Sequence, residues 1–137
     1  MTKKNQQGAF KDNMSSSPRA AHKNFTAPEN DVREFSNGKI QLMDIAGKIV
    51  SRDTFRPGWR WSKDVKPIAK TEWCEVPHFF YQISGIMHVK LEDGTEFEVR
   101  PGDVAYLPAG HDGWVVGRED VVMVDWFAPS DYAKQKS

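Results

Sequence analysis

The chain has 137 residues, 39% of them hydrophobic and 28% charged, which fits one domain with a core of its own. Its 19 basic and 19 acidic residues cancel to zero net charge, and this balance argues against a nucleic-acid-binding domain. The chain has no run of about 18 apolar residues, no apolar N-terminal signal segment and one cysteine, so we expect no membrane span, no intramolecular disulfide and a cytoplasmic location.

Residues 1–28 are predicted to form a disordered basic tail. This segment is polar and carries five basic residues against one acidic residue. Because it has few apolar side chains, burial cannot offset the entropy lost on ordering. We therefore expect the folded domain to cover residues 29–137.

Short strands separated by Gly, Pro and Asp turns are predicted in the remainder of the chain. Many of the segments between the turns are rich in β-branched and aromatic residues, and none shows a sustained 3.6-residue period. This pattern is typical of an all-β sandwich or barrel. Ser130 is the expected N-cap of a short C-terminal helix. The predicted strands are Val32–Phe35, Ile40–Ile45, Lys48–Phe55, Trp59–Trp61, Thr71–Val76, His78–Ser84, Ile86–Leu91, Thr95–Arg100, Val104–Leu107, Gly113–Val116 and Val121–Phe127.

The segment from Gly102 to Gly110 carries a motif that resembles the second motif of the cupin superfamily. Five residues separate Gly102 from Pro108, which is followed by Ala109 and Gly110, as in the family pattern G(X)5PXG. The resemblance covers roughly residues 40–127 and is strongest to small, single-domain, cupin 2-like bacterial proteins without an assigned reaction. It implies a cupin double-stranded β-helix, the RmlC-like jelly-roll barrel, with a metal ion or small molecule in its mouth.

The resemblance also implies a set of candidate metal ligands. Counting back from Gly85 as the last glycine of the family's first motif, Glu72, Cys74 and His78 lie at its ligand positions, while His111 lies two residues before the fourth. Thiolate, imidazole and carboxylate together would suit Zn²⁺, Fe²⁺, Ni²⁺ or Cu²⁺. The alternative is a barrel that binds no metal, in which the cysteine and histidines are ordinary buried residues.

Aromatic residues form the second candidate site. The chain has five tryptophans, and Trp59 and Trp61 would share one face of an extended strand. A barrel of about eight strands is just wide enough for side chains or for one small ligand. Trp59, Trp61, Phe80 and Trp114 are therefore expected to line a ligand pocket, with core packing as the alternative.

Three functions remain open on these observations. The first is binding or conversion of a small molecule at a divalent metal in the barrel mouth. The second is a metal-free sensor or carrier, and the third is a structural homodimer in which Asp31–Phe35 joins the partner's sheet. The sequence identifies no catalytic residue and no reaction, so whether the protein is an enzyme stays open.

Overall fold

The computed structural model describes residues 19–127. Predictions for residues 1–18 and for the helix at Ser130 lie outside the described residues. Within them the chain forms nine strands and two single-turn helices. In chain order these are β1 (Asp31–Phe35), β2 (Gly38–Ile45), β3 (Lys48–Phe55), α1 (Trp61–Asp64), α2 (Lys66–Ala69), β4 (His78–Ser84), β5 (Ile86–Leu91), β6 (Glu96–Val99), β7 (Val104–Leu107), β8 (His111–Val116) and β9 (Val121–Asp125).

The strands form two antiparallel sheets with a shared core. The larger sheet has the order β1-β2-β3-β9-β4-β7 and the smaller has the order β6-β5-β8. Inward side chains of both sheets meet in one apolar cluster, for example Ile40 and Phe80 from the larger sheet and Val89 and Val115 from the smaller. This two-sheet arrangement confirms the all-β, jelly-roll prediction.

The period of two along each strand decides which side chains reach the interior. On β4, His78, Phe80 and Gln82 are buried, while Phe79 and Tyr81 between them are exposed. Strand β8 shows the same alternation from its first residue, His111. The histidine that begins each of these two strands is therefore directed into the space between the sheets.

The segment Trp59–Trp61 is not the predicted strand. The chain turns at Gly58, where φ is +92°, and Arg60 makes only a single bridge to the smaller sheet before α1 begins. The carboxylate of Asp64 accepts the backbone N–H of Arg60 at 3.0 Å, which holds the start of the helix. Both tryptophans are nevertheless buried, and both belong to the apolar core cluster.

The segment Thr71–Val76 is also not a regular strand. Cys74 alone pairs with a strand there, through an isolated bridge to His111. The short helix α2 precedes this segment, and its Pro67 lies in the first turn, where the missing N–H of proline costs no helical hydrogen bond.

The end of the predicted tail contacts the domain. Lys23 Nζ donates a hydrogen bond to the backbone carbonyl of Asp44 at 2.7 Å, and the Arg52 guanidinium lies 5.2 Å from the ring centre of Phe25. These contacts begin before the predicted boundary at residue 29, because Phe25 offers an apolar ring within an otherwise polar segment. Among residues 19–127, neither helix has the length and apolar character needed to cross a membrane.

Candidate metal centre and adjoining cavity

Three side chains with metal-binding atoms converge at one end of the barrel interior. One ligand atom from each of Cys74, His78 and His111 lies within 4.8 Å of the other two, and all three residues are buried. Cys74 Sγ is 3.9 Å from His78 Nε2, and the two imidazole rings meet edge to face with centres 5.3 Å apart. The structure thus brings together three of the four predicted ligands.

The backbone explains why these three residues meet. His78 begins β4 and His111 begins β8, so both belong to the same end of the barrel. The backbone N–H of Cys74 donates to the carbonyl of His111 at 2.8 Å, and the N–H of Gly110 donates to the carbonyl of Cys74 at 2.7 Å. Gly110 has a φ of +90°, a conformation that glycine adopts without steric cost, so the Pro-x-Gly turn aligns His111 with Cys74.

The second nitrogen of each imidazole is held by an oxygen acceptor. His111 Nδ1 lies 2.8 Å from the carbonyl oxygen of Pro108, and His78 Nδ1 lies 2.5 Å from Asp125 Oδ2. A carbonyl oxygen can only accept, so Nδ1 of His111 donates to it, and Nε2 is the ring nitrogen left for the cluster. Histidines that bind metals are typically oriented in this way by a carbonyl or carboxylate behind the ring.

Electrostatics favour the thiolate form of the cysteine. Burial alone raises the pKa of the Cys74 thiol, but hydrogen bonds with His111 and His78 lower it to about 6. Burial alone lowers the pKa of His78, but its hydrogen bonds with Asp125 and Cys74 raise it to about 10. The metal-free cluster therefore favours a thiolate beside an imidazolium, and the thiolate is the form in which cysteine binds metals.

Two buried carboxyl groups near the cluster were not recognised from the sequence. Asp125 holds His78, and its Oδ1 also accepts the backbone N–H of Phe127 at 2.8 Å. Asp53 on β3 is 2% exposed and accepts a hydrogen bond from the Ser51 hydroxyl at 2.7 Å. Burial and the nearby carboxylate of Asp125 raise the pKa of Asp53 to about 7. The available signal was an acidic residue at an inward position of a strand, because such a residue is costly without a partner.

Glu72 does not join the cluster. Its side chain is 81% exposed, and its carboxylate lies 3.3 Å from Nζ of Lys66. The predicted strand over Thr71–Val76 would have placed Glu72 and Cys74 on one face, because side chains two residues apart on a strand point the same way. Since this segment is irregular, alternate residues do not point the same way.

A cavity of about 40 Å³ adjoins the two histidines. At roughly 10–15 Å³ for each water molecule, it holds a few waters or a ligand of a few heavy atoms. It is lined by Asp53, Phe55, Trp59, Trp61, His78, Phe80, Met87, Val89, Leu107, His111, Asp112, Gly113 and Met123. The cavity is therefore mostly apolar, and its polar side chains are those of Asp53, His78, His111 and Asp112.

Three of the four aromatic residues predicted to line a pocket do line the cavity, and the fourth lies on the outer surface. Trp59, Trp61 and Phe80 line the cavity, and the indole N–H groups of both tryptophans are buried without a hydrogen-bond partner among the described residues. Trp114 lies elsewhere. Its ring stacks on His88 at 4.5 Å, and the Arg60 guanidinium lies 3.9 Å from its centre. The side chain of Trp114 alternates with the inward residues of β8, so it covers the outer face of the smaller sheet.

Comparison with known proteins agrees with this architecture. The family model of the EutQ-like cupin domain matches residues 67–127, which contain the three clustered residues. No curated protein matches the chain. The two-sheet barrel, the family-model match over residues 67–127 and the structural neighbours together support the cupin superfamily.

Three solved structures illustrate the likeness. KdgF from Halomonas sp. is 19% identical with a TM-score of 0.55, over 81% of this chain and 98% of KdgF. Oxalate decarboxylase from Lactobacillus farciminis, in a formate complex, is 20% identical with a TM-score of 0.52, over 71% of this chain and 30% of the enzyme. The Bacillus subtilis oxalate decarboxylase is 27% identical with a TM-score of 0.50, over 71% of this chain and 27% of the enzyme. This chain thus corresponds to less than one third of the length of either decarboxylase.

Proposed function

We propose that this protein binds one divalent metal ion through Cys74, His78 and His111, and that it binds or converts a small molecule in the adjoining cavity. The observation that carries the proposal is the convergence of three buried ligand atoms within 4.8 Å. Both imidazoles in the cluster have their other nitrogen held by an oxygen acceptor. An ordinary buried histidine needs a hydrogen bond, but it does not need its remaining nitrogen to face a thiolate and a second imidazole.

The donor set fits a first-row divalent ion. At bond lengths of about 2.3 Å to sulfur and 2.0–2.1 Å to nitrogen, two ligands of a tetrahedral Zn²⁺ ion are roughly 3.6 Å apart. The observed separation of 3.9 Å between Cys74 Sγ and His78 Nε2 is close to that value. Fe²⁺, Ni²⁺ and Cu²⁺ accept the same donors, so the identity of the metal stays open.

Three protein ligands leave coordination positions free for a ligand, as in catalytic metal sites. His78 and His111 both line the cavity, so a molecule bound there would lie beside the metal. A bound metal would supply Lewis acidity to such a molecule. The protein's own contribution would be to orient both imidazoles through Asp125 and the carbonyl of Pro108, and to exclude water with the apolar lining.

The cavity also indicates the kind of ligand. Its volume restricts the ligand to a few heavy atoms, and the unpartnered indole N–H groups of Trp59 and Trp61 favour one with oxygen acceptors. A small carboxylate has both properties. The likeness to oxalate decarboxylase, one example of which is a formate complex, makes formate and oxalate reasonable first probes.

Elemental analysis tests the metal centre. The protein would be purified without chelator and without an affinity tag, as wild type, His78→Ala and His88→Ala. His88 is the matched control, because it lies outside the cluster and pairs with Glu96 at 2.7 Å. We expect close to one metal ion per chain in the wild type and in the control, and loss of the metal in His78→Ala. Absence of metal from the wild type, even after reconstitution with Zn²⁺, Fe²⁺, Ni²⁺ or Cu²⁺, would refute the proposal.

A metal-free binding protein is the second candidate, and the unpartnered indole groups favour it. If this candidate is correct, formate or oxalate would change the tryptophan fluorescence of the chelator-treated protein as much as that of the untreated protein. Trp59→Phe would raise the ligand concentration needed for half of the fluorescence change, because phenylalanine has no N–H to donate. A response that requires metal would instead support the metal-dependent function.

A further inference from the structure

The outer face of one end of the larger sheet is apolar and exposed. It is formed by strands β9, β4 and β7 and by the two residues that follow β9. Its most exposed members are 39–59% accessible. This apolar face consists of Phe79, Tyr81, Ile83, Val104, Tyr106, Trp126 and Phe127.

These side chains form one continuous surface. In the pairing of β4 with β7, Tyr81 lies opposite Val104 and Phe79 lies opposite Tyr106. At the end of β9, the ring centres of Trp126 and Phe127 lie 5.6 and 5.7 Å from that of Phe79. The patch therefore runs unbroken across three adjacent strands.

The apolar face contains no charged side chain. Strands β4 and β7 have no Lys, Arg, Asp or Glu, and the outward positions of β9 are Val122 and Val124. Edge strands exposed to water usually carry charges that prevent pairing with other chains. Strand β1, at the opposite edge of the same sheet, carries Asp31, Arg33 and Glu34.

The area of the face is close to what a stable dimer needs. Seven side chains that expose about half of their surface, at roughly 150–250 Å² for each aromatic residue, present about 600–700 Å². Standard protein interfaces bury about 800 Å² per partner. Continuous apolar patches larger than about 300–600 Å² are uncommon on monomers and typically mark a contact surface.

We propose that this face is the interface of a homodimer, in which the sheets of two copies pack face to face across a two-fold axis. Two identical faces without charges meet without electrostatic repulsion, and a two-fold axis brings the same patch of each copy together. The chain's own residues 128–137, which follow Phe127, include one large apolar side chain, Tyr132. They offer too little apolar surface to cover seven residues. The interface proposed here differs from the one predicted at Asp31–Phe35, which pairs with β2 within the chain.

Sedimentation velocity on the full chain tests the proposal at low and high micromolar concentration. The variants are Val104→Glu and Tyr106→Glu on the apolar face, with Val32→Glu as the matched control. Val32 is 47% exposed on β1, so the control introduces the same charge at a similarly exposed valine of the same sheet. We expect a wild-type dimer, an unchanged control, and a dissociation constant raised by roughly 30-fold or more by each face substitution.

Three results would overturn the proposal. The wild type could sediment as a monomer at every concentration, the face variants could remain dimeric, or Val32→Glu could break the dimer while they do not. The last result would locate the interface at β1. Circular dichroism of each variant would verify folding. Because the substituted positions are exposed in the single chain, the substitutions should cost it little stability.

Discussion

Replacement of Asp53 by asparagine should change how the stability of the metal-free protein depends on pH. In the folded protein, burial and the Asp125 carboxylate raise the pKa of Asp53 from its ordinary value of 3.8 to about 7. The folded state therefore prefers the protonated carboxyl group. The stability that the protonated Asp53 contributes is complete below the pKa that this group has in the unfolded chain. It is lost as the pH rises through the pKa that the group has in the folded protein.

The size of the effect follows from the difference between the two pKa values. At about 1.4 kcal/mol for each pH unit, raising the pH from about 4.5 to 8 removes about 3 kcal/mol of the wild-type free energy of unfolding through this one group. The substituted asparagine would not titrate, and its side-chain oxygen could still accept the Ser51 hydrogen bond. Its buried amide N–H groups would cost about 1–3 kcal/mol at every pH. Asp53→Asn should thus be less stable than the wild type in acid and should regain about 3 kcal/mol relative to it at higher pH.

Urea unfolding in the presence of a chelator, repeated across this pH range, measures the difference directly. Asp120→Asn is the control, because it makes the same substitution at an exposed position. If the wild type and Asp53→Asn lose stability in parallel as the pH rises, Asp53 is ionised in the folded protein throughout, and the reasoning from burial is wrong.

Four further outcomes are expected. Asp125→Asn should weaken metal binding by about 10–100-fold, measured by competition with a chromophoric chelator, because it removes the carboxylate that orients His78. Gly85→Ala should destabilise the fold by at least about 2 kcal/mol in urea unfolding, since a Cβ there would lie 2.5 Å from a backbone oxygen at a φ of +74°. Gly94→Ala, at a φ of +96° but in open space, should cost only about 1 kcal/mol in the same assay. Phe80→Ala should cost about 3–5 kcal/mol, because the ring is 2% exposed and its loss leaves a cavity.

Each of these expectations has a result that would contradict it. An unchanged metal affinity in Asp125→Asn would mean that the carboxylate does not orient the ligand. Equal losses in the two glycine variants would mean that the strand neighbours of Gly85 move aside. A loss below about 1.5 kcal/mol in Phe80→Ala would mean that the interior collapses onto the vacated space.

The local pattern of the sequence was sufficient for most of the fold. Strands such as His78–Ser84 and Ile86–Leu91 are bounded by turn residues and rich in apolar side chains, so both were predicted with their observed bounds. The same period of two places His78 and Phe80 on one face of β4. These features depend on neighbours along the chain, which a sequence displays directly.

The two wrong strands failed for a reason outside their own residues. Trp59–Trp61 and Thr71–Val76 have strand-like composition, but Arg60 and Cys74 each find only one bridging partner on β8. A segment becomes a strand only when a neighbouring strand offers it a row of backbone hydrogen-bond partners. The composition of the segment does not reveal whether such a neighbour exists. The error displaced Glu72 from the predicted ligand set, because its position depended on an extended backbone.

The sequence by itself determined that this chain forms a barrel of short antiparallel strands, and it singled out Glu72, Cys74, His78 and His111 as candidate metal ligands. Only the tertiary structure decided that Cys74, His78 and His111 meet, that Glu72 and Trp114 stay outside, and that Asp125 stands behind His78 from a strand 47 residues away. The physical reason is that strand formation is governed by nearby residues, whereas ligand geometry depends on which distant strands become neighbours in the sheet. That choice is made by the packing of the whole core.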